Sequence, residues 1–381
     1  MKSWVEVSSA RLAENLRAIR AIAGSSVETL AVIKADAYGH SAAICAPVLV
    51  EAGARWLGVS DVEEGAAVRA VLAHNAVSLL VMSGMEIADA PAIVAHGLTP
   101  VVWTAEQVAA MERAGRAAGS RVKVHLEIET GMARQGVAVG AELARVLERL
   151  AKSRWVHCEG VMTHLCCAEV AGAATTKAAK ERFAVALEQV AAAGVKPEFV
   201  HLGNSSAVDE GSTMAWIRTR AKAAAAKAMV RTGIALYGHC LPVEGAAGAL
   251  APRLSPVMAW KTRVIGIREI EAGTTVGYGA TFIAAHEMRL ALLPVGYADG
   301  FRRAASSGVG NGWVRIAGKK AAVVGRVSMN LTVVDVTGMT VSEGDEVVLL
   351  GDGVSAEDHA RWSATIAYDV LCGVRGRFMR V

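Results

Sequence analysis

Two patterns alternate eight times over the first 240 residues of this 381-residue chain. Short β-branched or apolar runs stand at residues 29–35, 56–60, 77–82, 98–103, 122–129, 160–165, 199–202 and 229–237. Alanine-rich stretches with helical spacing fall between them, such as 41–53, 62–73, 104–119, 141–153 and 175–194, and one more precedes them at 9–23. Capping residues open several of these (Ser41, Asp61, Thr104) and glycines close them (Gly53, Gly97, Gly119, Gly194). Eight strand-then-helix units in one stretch predict a closed (β/α)8 barrel of the TIM type. A doubly wound open sheet shares the alternation but usually stops at about five to seven strands.

After Gly238 the texture changes. Pro242, Pro252 and Pro256 interrupt the helical rhythm, and short alternating strands follow at 257–267, 288–293, 313–316, 320–324, 332–336 and 346–350. A late helical piece at 356–372 precedes the basic end with Arg375, Arg377 and Arg380. The fold expected is therefore α/β plus β: a barrel over residues 1–240 and a mainly β domain over 241–381, with the first few residues as candidates for the β domain's sheet. Residues 212–229 fit neither pattern well. This strong helix former carries Arg218, Arg220, Lys222 and Lys227, and reads as a solvated insert between barrel elements, or else as a basic surface for a partner.

Hydrophobic residues make up 53% and charged ones 20%, enough for a sizeable core and incompatible with wholesale disorder. Forty basic residues against thirty-six acidic leave +4, too mild to argue for a nucleic-acid or membrane partner. Mean hydropathy is high at +0.36. The longest uncharged run, between Asp89 and Glu106, is nevertheless too short for a membrane span and is broken by Pro91, Gly97 and Pro100. The opening residues show no apolar signal-peptide region. Six cysteines form no Cys-x-x-Cys pair and read as free thiols, which fits a reducing cytoplasm.

Barrel chemistry gathers where strands end, and the unusual polar residues fall there. Lys34 and Tyr38 follow the first strand; Glu127, Thr130 and Arg134 follow the fifth; His164 ends the sixth. His201, Asn204 and Ser205 belong to the end of the seventh, and Arg231, Gly233 and Ile234 to the eighth. A lysine closing an apolar strand is costly unless its charge is relieved, for instance by a Schiff base with an aldehyde cofactor. Its alternative is an ammonium that snorkels out of the barrel end. The turns after strands seven and eight occupy a recurrent phosphate position, where backbone N–H groups and a serine hydroxyl suffice. Two of the five tyrosines, Tyr278 and Tyr297, sit in glycine-flanked turns where core packing explains them poorly. Ten histidines include no HExxH, and His125, His157 and His286 read as structural or surface residues, so no metal is expected. No P-loop or GxGxxG supports a nucleotide.

In order along the chain stand Val-Ile-Lys-Ala-Asp-Ala-Tyr-Gly-His, Thr-Gly-Met-Ala-Arg-Gln-Gly-Val, Thr-His-Leu, His-Leu-Gly-Asn-Ser-Ser-Ala and Val-Arg-Thr-Gly-Ile-Ala-Leu-Tyr-Gly. The C-terminal region adds Val-Gly-Tyr-Gly-Ala-Thr-Phe, Leu-Pro-Val-Gly-Tyr-Ala-Asp-Gly, Gly-Arg-Val-Ser-Met-Asn and Ile-Ala-Tyr-Asp. Together they resemble the alanine racemase family, pyridoxal 5'-phosphate (PLP) enzymes built as a barrel plus a β domain. The resemblance implies that Lys34 carries the cofactor and acts as one base, with Tyr278 of the other subunit of a homodimer as the second. It assigns Tyr38, Asn204, Ser205, Gly233, Ile234 and Tyr368 to the cofactor, chiefly its phosphate. It sets Arg134 at the phenolic oxygen, Arg231 (held by His201) at the ring nitrogen, His164 beside the ring, and Tyr297, Met329 and Asn330 at an amino-acid substrate.

Two departures stand out. The family often has a carbamylated lysine where this chain has Glu127, whose carboxylate is expected to hold Arg134 in its place. Ser-Met-Asp becomes Ser328-Met329-Asn330, which resembles the serine/alanine racemases and points to possible serine turnover. Rival implications are a broad-specificity racemase or decarboxylase on the same fold, or a non-catalytic PLP-binding homeostasis protein. The second domain, with Tyr278 and Met329, argues against the last.

Overall fold

The computed structural model describes residues 2–72 and 77–381. The expected helix end at Ala73 lies outside the described residues. The chain divides into a barrel unit, Arg11–Ala37 with Cys45–Ser255, and a β unit comprising the N-terminal segment through Ala10, Tyr38–Ile44 and Pro256–Val381.

The first strand, β1 (Ser3–Val7), belongs to the β unit. Eight parallel strands then close the barrel in sequence order: β2 (Val27–Val32), β3 (Trp56–Val59), β4 (Ser78–Val81), β5 (Thr99–Val102), β6 (Val122–Glu127), β7 (Val156–Met162), β8 (Phe199–His201) and β9 (Lys227–Thr232). Closure comes from β2 pairing with β9, Val27 opposite Ala228 and Ala31 opposite Thr232. Helix ends carry the expected caps. Thr104 and Gln107 form a reciprocal capping box, and Gly119 ends the same helix at φ 64. Leu30, Leu57, Leu79, Val101, Leu126, Val161 and Val200 are fully buried in the strands. His125 on β6 contacts His201 on β8, two strands away, so both rings lie inside the barrel, on the face opposite Val124 and Leu126.

Several elements differ from the sequence expectation, among them the strand expected at 229–237, which ends at Thr232, and that at 257–267, which is two strands, Met258–Arg263 and Gly266–Ile270. The segment 212–229 is no insert: its helix, Ser212–Ala223, is the crossover between β8 and β9, burying Thr213, Met214, Ile217 and Ala221. It stops because Ala225 turns left-handed (φ 51), after which Lys227 and Met229 already belong to β9. The sixth barrel strand starts at Val156 rather than at residue 160, since the inward Glu159 interrupts its apolar signature. The late helix at 356–372 splits into Ala356–Trp362 and Ala367–Gly373, with Ala364 left-handed between them (φ 49).

The β unit centres on a six-stranded sheet ordered Lys319–Ala322, Trp313–Ile316, Glu346–Leu350, Met258–Arg263, β1 and Arg377–Arg380. A three-stranded sheet (Gly266–Ile270, Met288–Leu293, Thr332–Asp335) and a short hairpin (Thr275–Val276, Phe282–Ile283) complete it. Ile270, Val276, Met288, Leu290 and Val324 form one buried cluster there.

Candidate active site

In the barrel unit, Lys34 stands two residues beyond β2. The chain then runs through Ala35, Asp36, Ala37, Tyr38 and Gly39 at φ 52, 51, 56, 54 and 77, a turn of left-handed helix. Each L-residue costs about 1–2 kcal/mol there, so the surroundings must impose the turn. Glu64 does part of this: one carboxylate oxygen accepts the Ala35 N–H (2.7 Å), and the other accepts the N–H and hydroxyl of Ser60. Gly39 has no substitute, because a Cβ on it would lie 2.3 Å from the Leu371 carbonyl oxygen.

Arg231, buried near the end of β9, gathers the expected residues of strands six and seven. Its Nη1 donates to His201 Nδ1 (3.2 Å), and its Nη2 donates to the Thr163 carbonyl (2.8 Å) and to His164 Nδ1 (3.0 Å). Burial brings the guanidinium down to about 10, opposed by Glu127 and assisted by Arg134, so it stays charged at neutral pH. Burial likewise brings His164 down to about 3, with Arg231, Arg134 and Lys34 adding to the shift, and the ring is neutral. Both histidines therefore accept at Nδ1, since a guanidinium only donates. Two Arg231 N–H groups, on Nε and Nη1, make no bond among the described residues and can serve an acceptor.

A second set converges after β8 and β9. Asn204 caps the helix Ser205–Glu210, its Oδ1 accepting the Ala207 N–H at 3.0 Å. Ser205 Oγ accepts the N–H groups of Gly233 (3.1 Å) and Ala235 (3.3 Å), and Ile234 is buried between them. Ser205 accepts both amides and keeps its own O–H to donate, and a serine hydroxyl held in a turn of backbone amides such as this one is a setting in which a phosphate monoester binds. With a lysine at a strand end and a buried arginine holding spare donors, these residues fit PLP.

The expected pairing of Glu127 with Arg134 is absent. Glu127 instead accepts a short hydrogen bond from Gln135 Nε2, which also donates to the Met82 carbonyl at 2.8 Å. The cause is the tight return at Gly136 (φ 103), where a Cβ would sit 2.7 Å from the Glu129 nitrogen. That return lets Val137 donate to the Glu127 carbonyl and brings Gln135 to the carboxylate. Burial raises the Glu127 pKa, against the pull of Gln135, Arg231 and Arg134. Glu64, Thr163 and Gln135 are assigned no role from the sequence, although Thr163 and Gln135 lie in the Thr-His-Leu and Thr-Gly-Met-Ala-Arg-Gln-Gly-Val motifs and Asp61-x-x-Glu64 is a helix-start pattern.

In the β unit, the rings of Tyr38 and Tyr368 lie 6.1 Å apart, and burial, then Tyr368 and Cys372, push the Tyr38 hydroxyl above its ordinary value. Tyr278 is 71% exposed in a short turn between Gly277 (φ 77) and Gly279 (φ 73). Tyr297 and Ala298 donate to the Ser328 and Met329 carbonyls, which ties the Tyr297 turn to the 328–331 loop. Gly296 permits this approach, since its Cβ would fall 2.1 Å from the Ser328 oxygen. Tyr297, Met329 and Asn330 are all exposed. Among the described residues no group of three or more His, Cys, Asp or Glu is set to hold a metal, and no helix is long and apolar enough to cross a membrane.

Comparison with known proteins finds similarity along nearly the whole chain. Residues 7–240 match the family model for the N-terminal domain of alanine racemase, and residues 257–381 match its C-terminal domain. An alanine racemase of Symbiobacterium thermophilum is 37% identical over 99% of this chain and 96% of that protein. One from Sorangium cellulosum is 36% identical over 98% and 97%. The solved alanine racemase of Streptomyces coelicolor superposes with a TM-score of 0.89 at 31% identity, covering 99% of this chain and 98% of that one. The enzyme from Bartonella henselae, solved with covalently bound pyridoxal phosphate, gives 0.85 at 25% identity, covering 100% and 99%. An eight-stranded barrel with this arginine–histidine cluster at its strand ends, joined to a β domain and matched from end to end, belongs to the alanine racemase family.

Proposed function

We propose that the chain interconverts L- and D-alanine with PLP as its cofactor, using Lys34 and Tyr278 as its two bases. The observation that carries this reading is the buried Arg231, fixed by His201, Thr163 and His164, on the same barrel as Ser205, whose Oγ is tied to the Gly233–Ala235 turn. When bound, PLP supplies an aldehyde for the amino group and a ring that spreads the charge left when Cα loses its proton.

Lys34 holds the cofactor and moves a proton at one face of Cα; Tyr278 serves the opposite face, as inversion requires. Arg231 donates to the ring nitrogen and keeps its own proton, so the nitrogen gains a hydrogen bond and no full charge. An unprotonated ring would draw less charge away from Cα than a protonated one, which favours reprotonation there over side reactions. Ser205 and the Gly233 and Ile234 turn, with Asn204, Tyr38 and Tyr368, hold the phosphate. Arg134 faces the phenolic oxygen, and Tyr297, Met329 and Asn330 meet the substrate. The high exposure of Tyr278 supports its service to a partner's barrel in a homodimer with shared sites. Asn330 supports some serine turnover, and six free cysteines support a reducing, cytoplasmic setting.

Purified protein loaded with PLP should racemise D-alanine, and borohydride should leave a pyridoxyl adduct on Lys34. Turnover confined to ornithine, lysine or arginine, or an adduct on another lysine, overturns the reading.

A further inference from the structure

Arg231 is one end of a buried polar chain through the barrel interior whose members beyond His201 no part of the proposed chemistry yet uses. His201 on β8 accepts from Arg231 at Nδ1, and its Nε2 lies 2.9 Å from Nδ1 of His125 on β6. Nε2 of His125 faces Oε2 of Glu159 on β7 at 3.5 Å, and neither of these buried atoms has a nearer partner among the described residues. Oε1 of Glu159 receives Nζ of the half-exposed Lys123, near the start of β6, at 2.5 Å.

The chemistry of the two ends fixes every proton between them. A guanidinium only donates, so His201 must present a lone pair at Nδ1. A neutral imidazole has one N–H, which then lies on His201 Nε2 and points at His125 Nδ1. The same step places the His125 proton on Nε2, aimed at Glu159. Burial keeps both rings neutral; for His125 it outweighs Glu159, and Arg231 and Lys123 oppose its charging as well. Burial also raises the Glu159 pKa, but the facing His125 and the bond and charge of Lys123 outweigh it and hold the carboxyl below its usual range. Turning over either ring would set lone pair against lone pair, or N–H against N–H.

The seat of the His125 ring is built for this. It lies 5.2 Å from Trp56 and 6.4 Å from Phe199 between ring centroids, and a Cβ on Gly160 would sit 2.6 Å from its Nδ1. We propose that His125 and Glu159 are positioning residues: through His201 they hold an acceptor toward Arg231, and so fix the guanidinium that faces the cofactor. This rests on the reading of Arg231 given above.

The test is the tautomeric state of the histidines in 15N-histidine-labelled holoenzyme, assigned with His125→Gln and His201→Asn. Both rings should be neutral and protonated at Nε2 across about pH 6–8.5. Glu159→Leu should release the His125 tautomer and lower kcat about tenfold, as loss of outer partners that fix a ring's tautomer does, with KM for alanine within about twofold. Glu159→Gln, whose amide oxygen still accepts, should restore most of kcat. A wild-type ring protonated at Nδ1, a charged ring, or a Glu159→Leu enzyme with wild-type tautomers and kcat overturns the proposal. Should Glu159→Leu fail to fold, the wild-type tautomers decide alone. Failure to bind PLP at Lys34 would overturn the proposed function instead; the same histidines, read without PLP, still decide this one.

Discussion

Gly160→Ala measures how tightly the polar chain is built. The added Cβ would stand 2.6, 2.7 and 2.8 Å from Nδ1, Cε1 and Cγ of His125, all inside the 3.4 Å of ordinary contact. The ring must therefore withdraw by about 0.8 Å, yet it is fully buried between Trp56 and Phe199. Because the new Cβ and His201 Nε2 both lie against Nδ1, withdrawal stretches the 2.9 Å bond to His201 by up to about 0.8 Å, which at that limit is beyond hydrogen bonding. Overpacking costs about 1–3 kcal/mol, and a buried bond left unmade costs about 1–3 kcal/mol more. The sum, about 2–6 kcal/mol, lowers Tm by roughly 3–8 °C for a chain of this size, because the shift is the free energy divided by an unfolding entropy that grows with length. Thermal unfolding followed by circular dichroism reads it. A cycle with His125→Ala locates it: without the ring, the alanine at 160 should cost at least about 1 kcal/mol less. Stability of Gly160→Ala within about 0.5 kcal/mol of wild type, or additive costs, would refute the steric reasoning.

Mixing inactive Lys34→Ala and Tyr278→Phe chains should restore part of the activity, because a hybrid dimer holds one site with both bases; verified exchange without recovery rejects the shared site. Glu127→Gln should lower activity and also flatten the pH dependence of stability. A folded carboxyl pKa raised above 4.5 gives stability that is lost as pH rises through that window, and the glutamine has no proton to lose. Denaturant titrations whose wild-type minus variant difference is flat between about pH 4 and 7 contradict this. Asn330→Asp should lower the serine-to-alanine ratio of kcat/KM, since an asparagine amide can both donate and accept where an ionised aspartate only accepts. An unchanged ratio removes Asn330 as a determinant.

The barrel was legible in the sequence because apolar runs and capped, glycine-closed helices repeat at a rhythm few folds share. What escaped are the places where alanine does the work of glycine. Ala225 and Ala364 end or divide helices at φ 51 and 49, and Ala35 and Ala37 enter the left-handed turn after Lys34 at φ 52 and 56. An alanine in such a position carries no local signal, since its propensity is the strongest for a right-handed helix. Only tertiary contacts, such as Glu64 on the Ala35 amide, impose the conformation.

The site divides along the same line. Residues singled out by position, such as Lys34, Arg231, His201 and Ser205, sit where strand ends were expected, because strand order alone determines which ends converge. Their partners are a matter of side-chain reach. Glu127 was expected beside Arg134, yet the fold-back at Gly136 delivers Gln135 to it, and no count of residues along the chain distinguishes the two neighbours. His125 reads as one structural histidine among several until β6 and β8 are wrapped around a common interior, where His201 becomes its partner at 2.9 Å. A glutamate in the middle of β7 likewise looks like a broken strand, until the closed barrel sets it between Lys123 and His125. Charge inside a barrel thus erases the apolar pattern that would have marked the strand, so the stretch of β7 missing from the sequence assignment is the one that supplies Glu159 to the positioning chain.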